Sequence, residues 1–169
     1  MNCKDKDEKI IKSKDRVKKH AEVYTPEWVV NDMLDMLKDE SDCDPYKDID
    51  ATFLEPAAGN GNFVVKILER KLAYAKTDDE KLRALKSIYA VELLQDNVEE
   101  MKARIRTIMS ANGITGGYDD IMDINIQQGD FLKMTHADGT DIAFYDWRGG
   151  KGYHTLRSML TKQTSLDFL

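Results

Sequence analysis

The sequence predicts one α/β domain in which a small parallel sheet is flanked by helices. Three observations support this prediction: short apolar runs alternate with segments of helical periodicity, a glycine-rich turn follows the first run, and an acidic residue follows the end of each run. Strands that alternate with helices in this way form parallel sheets with helices on their faces. The length of 169 residues, with 41% hydrophobic and 33% charged residues, is typical of one globular domain.

The individual elements follow from local patterns. Thr25-Pro26 is a typical helix start, with Thr25 at the N-cap and Pro26 in the first turn, and apolar residues at helical spacing follow. Asn112-Gly113 is a typical helix end. In chain order, we predict a helix at 25–38, a loop at 39–50, a strand at 51–54, a helix at about 63–72, a polar turn at 77–80 before a short helical piece, a strand at 88–91, a helix at 95–111, strands at 124–126 and 141–145, and a last helix around 156–160.

Charge divides the chain into three parts. Residues 1–20 carry eight Lys or Arg and four Asp or Glu, and residues 147–169 carry four and one. Since the formal net charge of the chain is −6, residues 21–146 carry −13. We expect a charged tail or exposed helix at 1–20, the folded body at 21–146 and a C-terminal helix or tail at 147–169. An acidic body repels a phosphate backbone, so we expect this chain alone to bind DNA weakly.

Several classes of protein are disfavoured by composition. No apolar run approaches the roughly 18 residues of a membrane-spanning helix, and the N-terminus is charged rather than signal-like. Cys3 and Cys43 have neither metal-site nor disulfide-framework spacing. We therefore expect a cytoplasmic protein with reduced thiols, without a metal and without membrane contact.

The polar residues that follow the strands carry the functional prediction. In open α/β sheets, ligands bind at the carboxyl ends of the strands. We therefore expect the segment 55–62, Glu92, Asp130 and Asp146 to lie along a single rim of the sheet.

Within the segment 55–62, Gly59 and Gly61 allow the backbone to turn sharply and lie close to a ligand, and the next helix offers unpaired N–H groups. Glu55, directly before the turn, suits an ammonium group better than a phosphate. No Lys-Ser/Thr pair follows the glycines, which disfavours a triphosphate-binding loop. A structural turn without a ligand has the same glycine pattern, so that alternative stays open.

Two further acids indicate contacts with a nucleoside. Glu92, at the end of the second strand, can accept hydrogen bonds from both hydroxyls of an adenosine ribose; an ordinary exposed glutamate is the alternative. Asp130 can accept a hydrogen bond from the adenine amino group while Phe131 packs near the ring.

Together with Tyr24-Thr25-Pro26, these segments resemble the adenine-specific (N6) DNA methyltransferases of restriction–modification systems. That family has a Tyr-Thr-Pro segment, a Glu/Asp-Pro-x-x-Gly-x-Gly-x-Phe turn, an acid after the second strand and an Asp-Phe pair, and all four occur here in family order over residues 21–132. The resemblance implies a Rossmann-like methyltransferase fold with a truncated parallel sheet and S-adenosylmethionine as cofactor. The cofactor-binding residues that it implies are Tyr24 and Thr25 at the methionine moiety, Glu55, Ala57, Gly59, Asn60, Gly61 and Asn62 around it, Glu92 at the ribose, and Asp130 and Phe131 at the adenine.

The family's catalytic motif, Asn/Asp-Pro-Pro-Tyr/Phe after the fourth strand, is degraded here. The sequence reads Asp146-Trp147-Arg148-Gly149, so Asp146 takes the position of the Asn or Asp, while both prolines and the aromatic residue are missing. In the family, the polar side chain holds the target amine and the aromatic ring stacks on the flipped base. Asp146 is therefore the candidate catalytic residue, and we interpret Trp147 as a hydrophobic plug.

Three functions fit these residues. The chain is an adenine-specific DNA methyltransferase, alone or completed by another chain; or it binds S-adenosylmethionine without transferring a methyl group; or it is a decoy or regulatory partner of a full-length methyltransferase. The cofactor motifs favour the first two, and the degraded catalytic motif and acidic body favour the last two.

The segment after Asp146 predicts a contact with another chain. It has 23 residues, too few for the strands that complete the sheet in the resembled family, so we expect an uncovered sheet edge. We therefore expect a homodimer, or a complex with a larger methyltransferase, formed through residues 142–169, where the apolar Trp147, Leu166 and Phe168 lie.

Overall fold

The computed structural model describes residues 11–20, 22–150 and 152–164 and has an α/β fold. A three-stranded parallel sheet carries helices on one face, and an antiparallel strand pair with a helix covers the other. No helix within these ranges combines the length and the apolar character that crossing a membrane requires. In chain order the elements are α1 (Lys14–His20), α2 (Glu27–Glu40), β1 (Phe53–Glu55), α3 (Asn62–Leu72), α4 (Asp78–Lys86), β2 (Ile88–Glu92), α5 (Gln95–Ala111), α6 (Asp119–Asn125), β3 (Ile126–Gln128), β4 (Ala143–Tyr145), β5 (Tyr153–Thr155) and α7 (Leu156–Thr164).

β2 is the centre of the parallel sheet. It pairs with β1 on one side, where Leu54 lies opposite Tyr89, and with β3 on the other, where Ala90 lies opposite Ile126. All five residues of β2 are buried, as expected of a parallel strand that is covered on both faces. The carboxyl ends of the three strands therefore meet at one rim.

Alternate residues of β2 face two separate apolar cores. Ile88 and Ala90 belong to the larger core, which packs the sheet against α2, α3, α4, α5 and α6. Tyr89 and Val91 belong to the smaller core on the opposite face, together with Ile142, Phe144 and Leu156. This alternation follows from the two-residue period of a strand.

β4 lies across the smaller core and does not extend the parallel sheet. The Phe144 ring makes an edge-to-face contact with the Tyr89 ring at 5.1 Å between centroids, and Tyr89 Oη donates to the Tyr145 carbonyl at 2.9 Å. β4 pairs with β5 in an antiparallel pair of its own. The prediction of a fourth strand in the parallel sheet is therefore wrong: the apolar run forms a strand, but its side chains pack onto the face of β2.

Contacts at the two ends of β4 give its direction. Before β4, Ile142 Cδ1 lies against Gly129, the residue that follows β3. After β4, Trp147 Nε1 donates to Asn125 Oδ1 at 2.8 Å, and Lys86 Nζ lies 5.2 Å from the Trp147 ring centroid. Asn125 and Lys86 are next to the amino ends of β3 and β2. β4 therefore runs from the carboxyl ends of the parallel strands toward their amino ends.

Most helices lie where the sequence predicts them. α5 has the predicted bounds, and Gly113 after it takes a φ of 84°. α2 has Pro26 at its N-cap without a side-chain hydrogen bond, so the prediction that Thr25 caps it is wrong. The residues predicted as a polar turn begin α4, with Thr77 and Glu80 forming a capping box. α6 was not predicted and takes the place of the first residues of the predicted third strand.

The predicted apolar face of α2 is only partly buried. Val30 and Leu34 lie in the larger core. Further large apolar side chains of α2 are exposed, namely Trp28, Met33, Met36 and Leu37. α2 therefore presents an apolar surface to solvent, which a soluble domain rarely leaves without a partner.

Two glycine substitutions test the packing of the segment 55–62 against α5. Gly61 and Gly113 both have a left-handed φ, but a Cβ at Gly61 would lie 2.4 Å from Met101 Cγ, whereas a Cβ at Gly113 would meet nothing within 4 Å. We expect Gly113→Ala to lower the free energy of unfolding by about 1 kcal/mol through φ strain, and Gly61→Ala by roughly 2–4 kcal/mol because overpacking is added. Urea denaturation measures both, and equal losses would contradict this packing.

Candidate functional site

The segment 55–62 forms a tight turn between β1 and α3. Gly59 and Gly61 have left-handed φ values of 54° and 88°. The Ala58 N–H donates to the Val91 carbonyl at 3.1 Å, and the Gly61 N–H donates to the Ala58 carbonyl at 2.8 Å. The turn therefore lies against the end of β2, and the backbone conformation accounts for both glycines. We call this segment the glycine turn.

Glu92 holds the glycine turn from the neighbouring strand. Its Oε2 accepts the Gly59 N–H at 2.8 Å, and its Oε1 accepts the Leu94 N–H at 3.0 Å and Asn97 Nδ2 at 3.3 Å. Glu92 is buried, so it is not an ordinary exposed glutamate. A carboxylate has about four acceptor positions, and three of them are already used.

A buried polar network lies behind Glu92. Asn97 Nδ2 donates to Glu22 Oε1 at 2.6 Å. Tyr24 Oη lies 3.0 Å from Glu22 Oε1 and 2.9 Å from Asn97 Oδ1, and its one proton serves either acceptor. Burial, together with the nearby Glu22 carboxylate, raises the pKa of Tyr24 to about 12. The Tyr24 ring lies beneath Gly59, where a Cβ would be 3.4 Å from Tyr24 Cδ1, so Tyr24 supports the turn.

Residues 11–20, which we call the N-terminal strap, lie against the first two turns of α5. The sequence predicts a charged tail or an exposed helix here. The helix alternative is correct for α1, but basic side chains of the strap are ion-paired to the body. Residues 1–10 lie outside the described residues.

Two basic side chains hold the strap in place. Lys12 Nζ lies 3.1 Å from Asp96 Oδ2 and 2.8 Å from Glu100 Oε2. Arg16 donates through Nε and Nη2 to the two oxygens of Glu22, and through Nη1 to Asp96. The bidentate contact with Glu22 is the geometry in which an arginine–carboxylate pair is strongest.

A second set of hydrogen bonds holds the other side of the glycine turn. Arg104 Nη1 donates to the Asn60 carbonyl and to Asn62 Oδ1, both at 2.8 Å. Asn62 Nδ2 donates to the Thr25 carbonyl at 2.8 Å, and Asn60 Nδ2 to Glu100 Oε1 at 3.1 Å. Asn60 Oδ1 is buried and has no hydrogen-bond partner within the described residues. Such an orphaned acceptor is uncommon and leaves room for a donor from outside the described residues.

Glu55 lies at the start of the turn as a half-buried acid. Its Oε1 accepts the Ala57 N–H at 3.2 Å, and no lysine or arginine among the described residues forms an ion pair with it. Burial raises the pKa of Glu55, and the Ala57 hydrogen bond opposes the rise. A partly buried carboxylate without a cation is a favourable place for a positively charged group.

Asp130 and Phe131 follow β3 at the same rim. Asp130 Oδ1 accepts the Lys133 N–H at 3.1 Å, Lys133 Nζ lies 2.9 Å from Oδ2, and these contacts lower the pKa of Asp130. Phe131 packs against the smaller core. A cavity of about 270 Å³ opens between the ends of β2 and β3, and its lining includes Leu93, Gly129, Asp130, Lys133 and His136.

Asp146 lies at the opposite end of the strands. It follows β4 and lines a cavity of about 500 Å³ together with Thr52 and Phe53 at the start of β1. The Arg148 N–H donates to Asp146 Oδ1 at 3.1 Å. From Ile88 to Glu92, β2 spans about 13 Å. The prediction that Asp146 shares a rim with Glu92 is therefore wrong, because β4 is antiparallel to the other strands.

Trp147 packs between the two cores, as the plug interpretation predicts.

Sequence analysis missed several residues that hold the site, above all Glu22, Asn97 and Arg104. Asn97, Met101 and Arg104 share one face of α5, at positions i, i+4 and i+7. Polar residues on a face that is otherwise buried were the available signal. Glu22 has no comparable signal, because its contact with Asn97 joins residues that are distant in sequence.

The described residues include no group of three His, Cys, Asp or Glu side chains arranged for a metal ion. In comparisons with known proteins, the chain matches no family model, no curated protein and no solved structure.

The stability of the strap contacts depends on pH. Hydrogen bonds from Arg16 lower the pKa of Glu22 from 4.5 to about 2 and that of Asp96 from 3.8 to about 2, against the effect of burial. Since both pKa values fall on folding, the stabilisation is complete above about pH 4.5 and is lost as the pH falls toward 2. Urea denaturation at about pH 6 and pH 3 measures this effect. We expect the free energy of unfolding to fall between the two pH values in both proteins, and the fall to be roughly 1–3 kcal/mol smaller in Arg16→Gln than in the wild type.

Lys18→Gln is the matched control for this measurement. Lys18 lies on α1, is exposed, and forms no ion pair with a described residue. It should keep the wild-type dependence on pH. An Arg16→Gln variant with that same dependence would contradict the assignment of the pKa shifts to Arg16.

Proposed function

We propose that the chain binds S-adenosylmethionine at the carboxyl rim of the parallel sheet. Glu55 carries this proposal: it is a half-buried carboxylate directly before a left-handed glycine turn, and no described cation pairs with it. The ammonium group of the methionine moiety supplies the cation. Asn60 Oδ1, buried and without a partner, is an acceptor for the same polar end of the ligand, and the glycines allow close approach of the backbone.

The nucleoside end extends toward β3. The cavity between Leu93 and Asp130 receives the adenine, whose amino group donates to Asp130. Leu93 is half exposed and supplies an apolar contact for the ring, while Phe131 is engaged in the smaller core. Glu92 has one acceptor position left, so we propose that it binds one ribose hydroxyl and positions the turn with its other contacts.

The motifs support this choice of cofactor. The parallel order of β1, β2 and β3, with the glycine turn after β1 and a buried acid after β2, is compatible with a Rossmann-like methyltransferase fold. The resemblance of residues 21–132 to adenine-specific DNA methyltransferases of restriction–modification systems then favours S-adenosylmethionine over other nucleotides.

We propose further that the chain alone does not methylate DNA. Asp146, the candidate catalytic residue, lies toward the other end of the strands from the rim, whereas reacting groups must approach to about 3–3.5 Å. The residues after Asp146 lack the two prolines and the aromatic residue of the family motif, and residues 21–146 carry a charge of −13. These features favour a cofactor-binding module over a complete enzyme, with the adenine acceptor site supplied by a larger methyltransferase chain.

The surface for that partner is better placed on α2 than on the predicted region 142–169. Among residues 142–164, Tyr153 is the exposed large apolar side chain, and Leu156 is fully buried. Leu166 and Phe168 lie outside the described residues. The exposed apolar side chains are concentrated on α2, at Trp28, Met33, Met36 and Leu37.

Calorimetric titration with S-adenosylmethionine and with its demethylated product tests the cofactor proposal. We expect Glu55→Gln to weaken binding by roughly 1–3 kcal/mol, because a charged acceptor for the ammonium group is lost. Asp146→Asn is the matched control, an acid-to-amide change at the other end of the strands, and should bind as the wild type does. The absence of binding by the wild type at millimolar ligand would refute the proposal.

Transfer of labelled methyl groups to mixed-sequence DNA tests the proposal that the chain alone does not methylate DNA. We expect no transfer above background by the chain alone. Light scattering on the same sample should give the mass of a monomer. Co-purification from the native host should recover a larger methyltransferase chain bound to it. Turnover at an enzymatic rate by the chain alone would contradict the proposal. A dimer mass would assign the α2 surface to a second copy instead.

A further inference from the structure

The N-terminal strap is connected to the glycine turn by a continuous series of hydrogen bonds. Arg16 Nη2 donates to Glu22 Oε1 at 2.7 Å, and Asn97 Nδ2 donates to the same oxygen at 2.6 Å. Asn97 Nδ2 also reaches Glu92 Oε1 at 3.3 Å, and Glu92 Oε2 accepts the Gly59 N–H at 2.8 Å. The hydrogen bonds therefore connect Arg16 to the Gly59 amide, so we expect a displacement of Arg16 to change the position of Gly59.

A second route starts from the other basic residue of the strap. Lys12 Nζ lies 2.8 Å from Glu100 Oε2, and Glu100 Oε1 accepts Asn60 Nδ2 at 3.1 Å. Asn60 is the residue that follows Gly59. The strap thus reaches two adjacent residues of the glycine turn through two separate carboxylates.

The strap is held by charge and not by apolar packing. Neither core contains a residue of the described segment 11–20. Exposed ion pairs contribute little to stability, but these connections end in buried groups: Asn97 is fully buried and the Glu22 side chain is 7% exposed. Removing Arg16 leaves the Glu22 carboxylate buried without its cation, which is unfavourable, so the network has to rearrange.

We infer that the strap is a detachable clamp that sets the affinity of the glycine turn for its ligand. While Arg16 and Lys12 are paired, Asn97 orients Glu92, and Glu92 holds Gly59 in the binding conformation. When Arg16 is replaced, or when salt weakens the pairs that the strap makes with the exposed Asp96, the turn loosens and the ligand binds more weakly. The role of the turn as a ligand site rests on the proposed function, but the coupling of strap to turn does not.

Hydrogen–deuterium exchange of the Gly59 amide in the full chain tests the coupling without any ligand. We expect exchange to be about five- to fifty-fold faster in Arg16→Gln than in the wild type. The wild type at about 500 mM NaCl should exchange faster than at low salt but slower than the variant, because the buried Arg16–Glu22 pair is screened little, and Arg16→Lys should recover part of the protection. Lys18→Gln, which removes the same charge from α1, should exchange as the wild type does. Equal exchange in Arg16→Gln and Lys18→Gln would overturn the inference.

Titration with S-adenosylmethionine at about 25 mM and 500 mM NaCl then tests the consequence for binding. We expect Arg16→Gln to bind about five- to fifty-fold more weakly than the wild type at low salt, and the wild-type affinity to fall by a smaller factor with salt, because the Arg16–Glu22 pair is buried. An affinity of Arg16→Gln equal to that of the wild type at low salt would overturn the clamp. If no variant binds the ligand while Gly59 exchange responds as expected, the proposed function fails and the coupling of strap to turn stands.

Discussion

Glu92 joins three parts of the molecule through one carboxylate. Its oxygens accept N–H groups from Gly59 in the glycine turn, from Leu94 at the start of α5, and from Asn97 in the first turn of that helix. Because the carboxylate is buried, the loss of any one donor leaves its charge less well compensated. The turn, the end of β2 and α5 are therefore held as one unit, and Tyr24 and Arg104 support that unit from two sides.

This unit separates the two ends of the parallel strands in function. At the carboxyl rim, Glu55 has no cationic partner and Asn60 Oδ1 has no hydrogen-bond donor among the residues that the structure describes, which suits a cationic ligand. At the amino end, Asp146 is turned toward Arg148 and the start of β1. This arrangement agrees with the proposal that the chain binds S-adenosylmethionine at the carboxyl rim without transferring its methyl group, and the charge of −13 on residues 21–146 disfavours contact with DNA.

The sequence predicted correctly those features that depend on residues close together in the chain. α5 was predicted with its bounds because Asn112-Gly113 ends it, and the glycine turn because left-handed φ values need Gly59 and Gly61. The acidic residues Glu55 and Glu92 at the ends of β1 and β2, and Asp130 after β3, were predicted at the rim because the end of a strand is visible in the local sequence. The direction of β4 was not predicted, because its apolar run fits either orientation and the contacts of Ile142 with Gly129 and of Trp147 with Asn125 decide between them. The same limit hid Glu22, whose partner Asn97 lies 75 residues away.

The most direct test of the rim as the ligand site is an NMR titration of the full chain with the demethylated product of S-adenosylmethionine. We expect the largest amide shifts on the glycine turn, on Leu94 at the start of α5 and on Asp130 after β3, with residues 146–150 unchanged. Shifts concentrated at residues 146–150, or no shifts at saturating ligand, would contradict it.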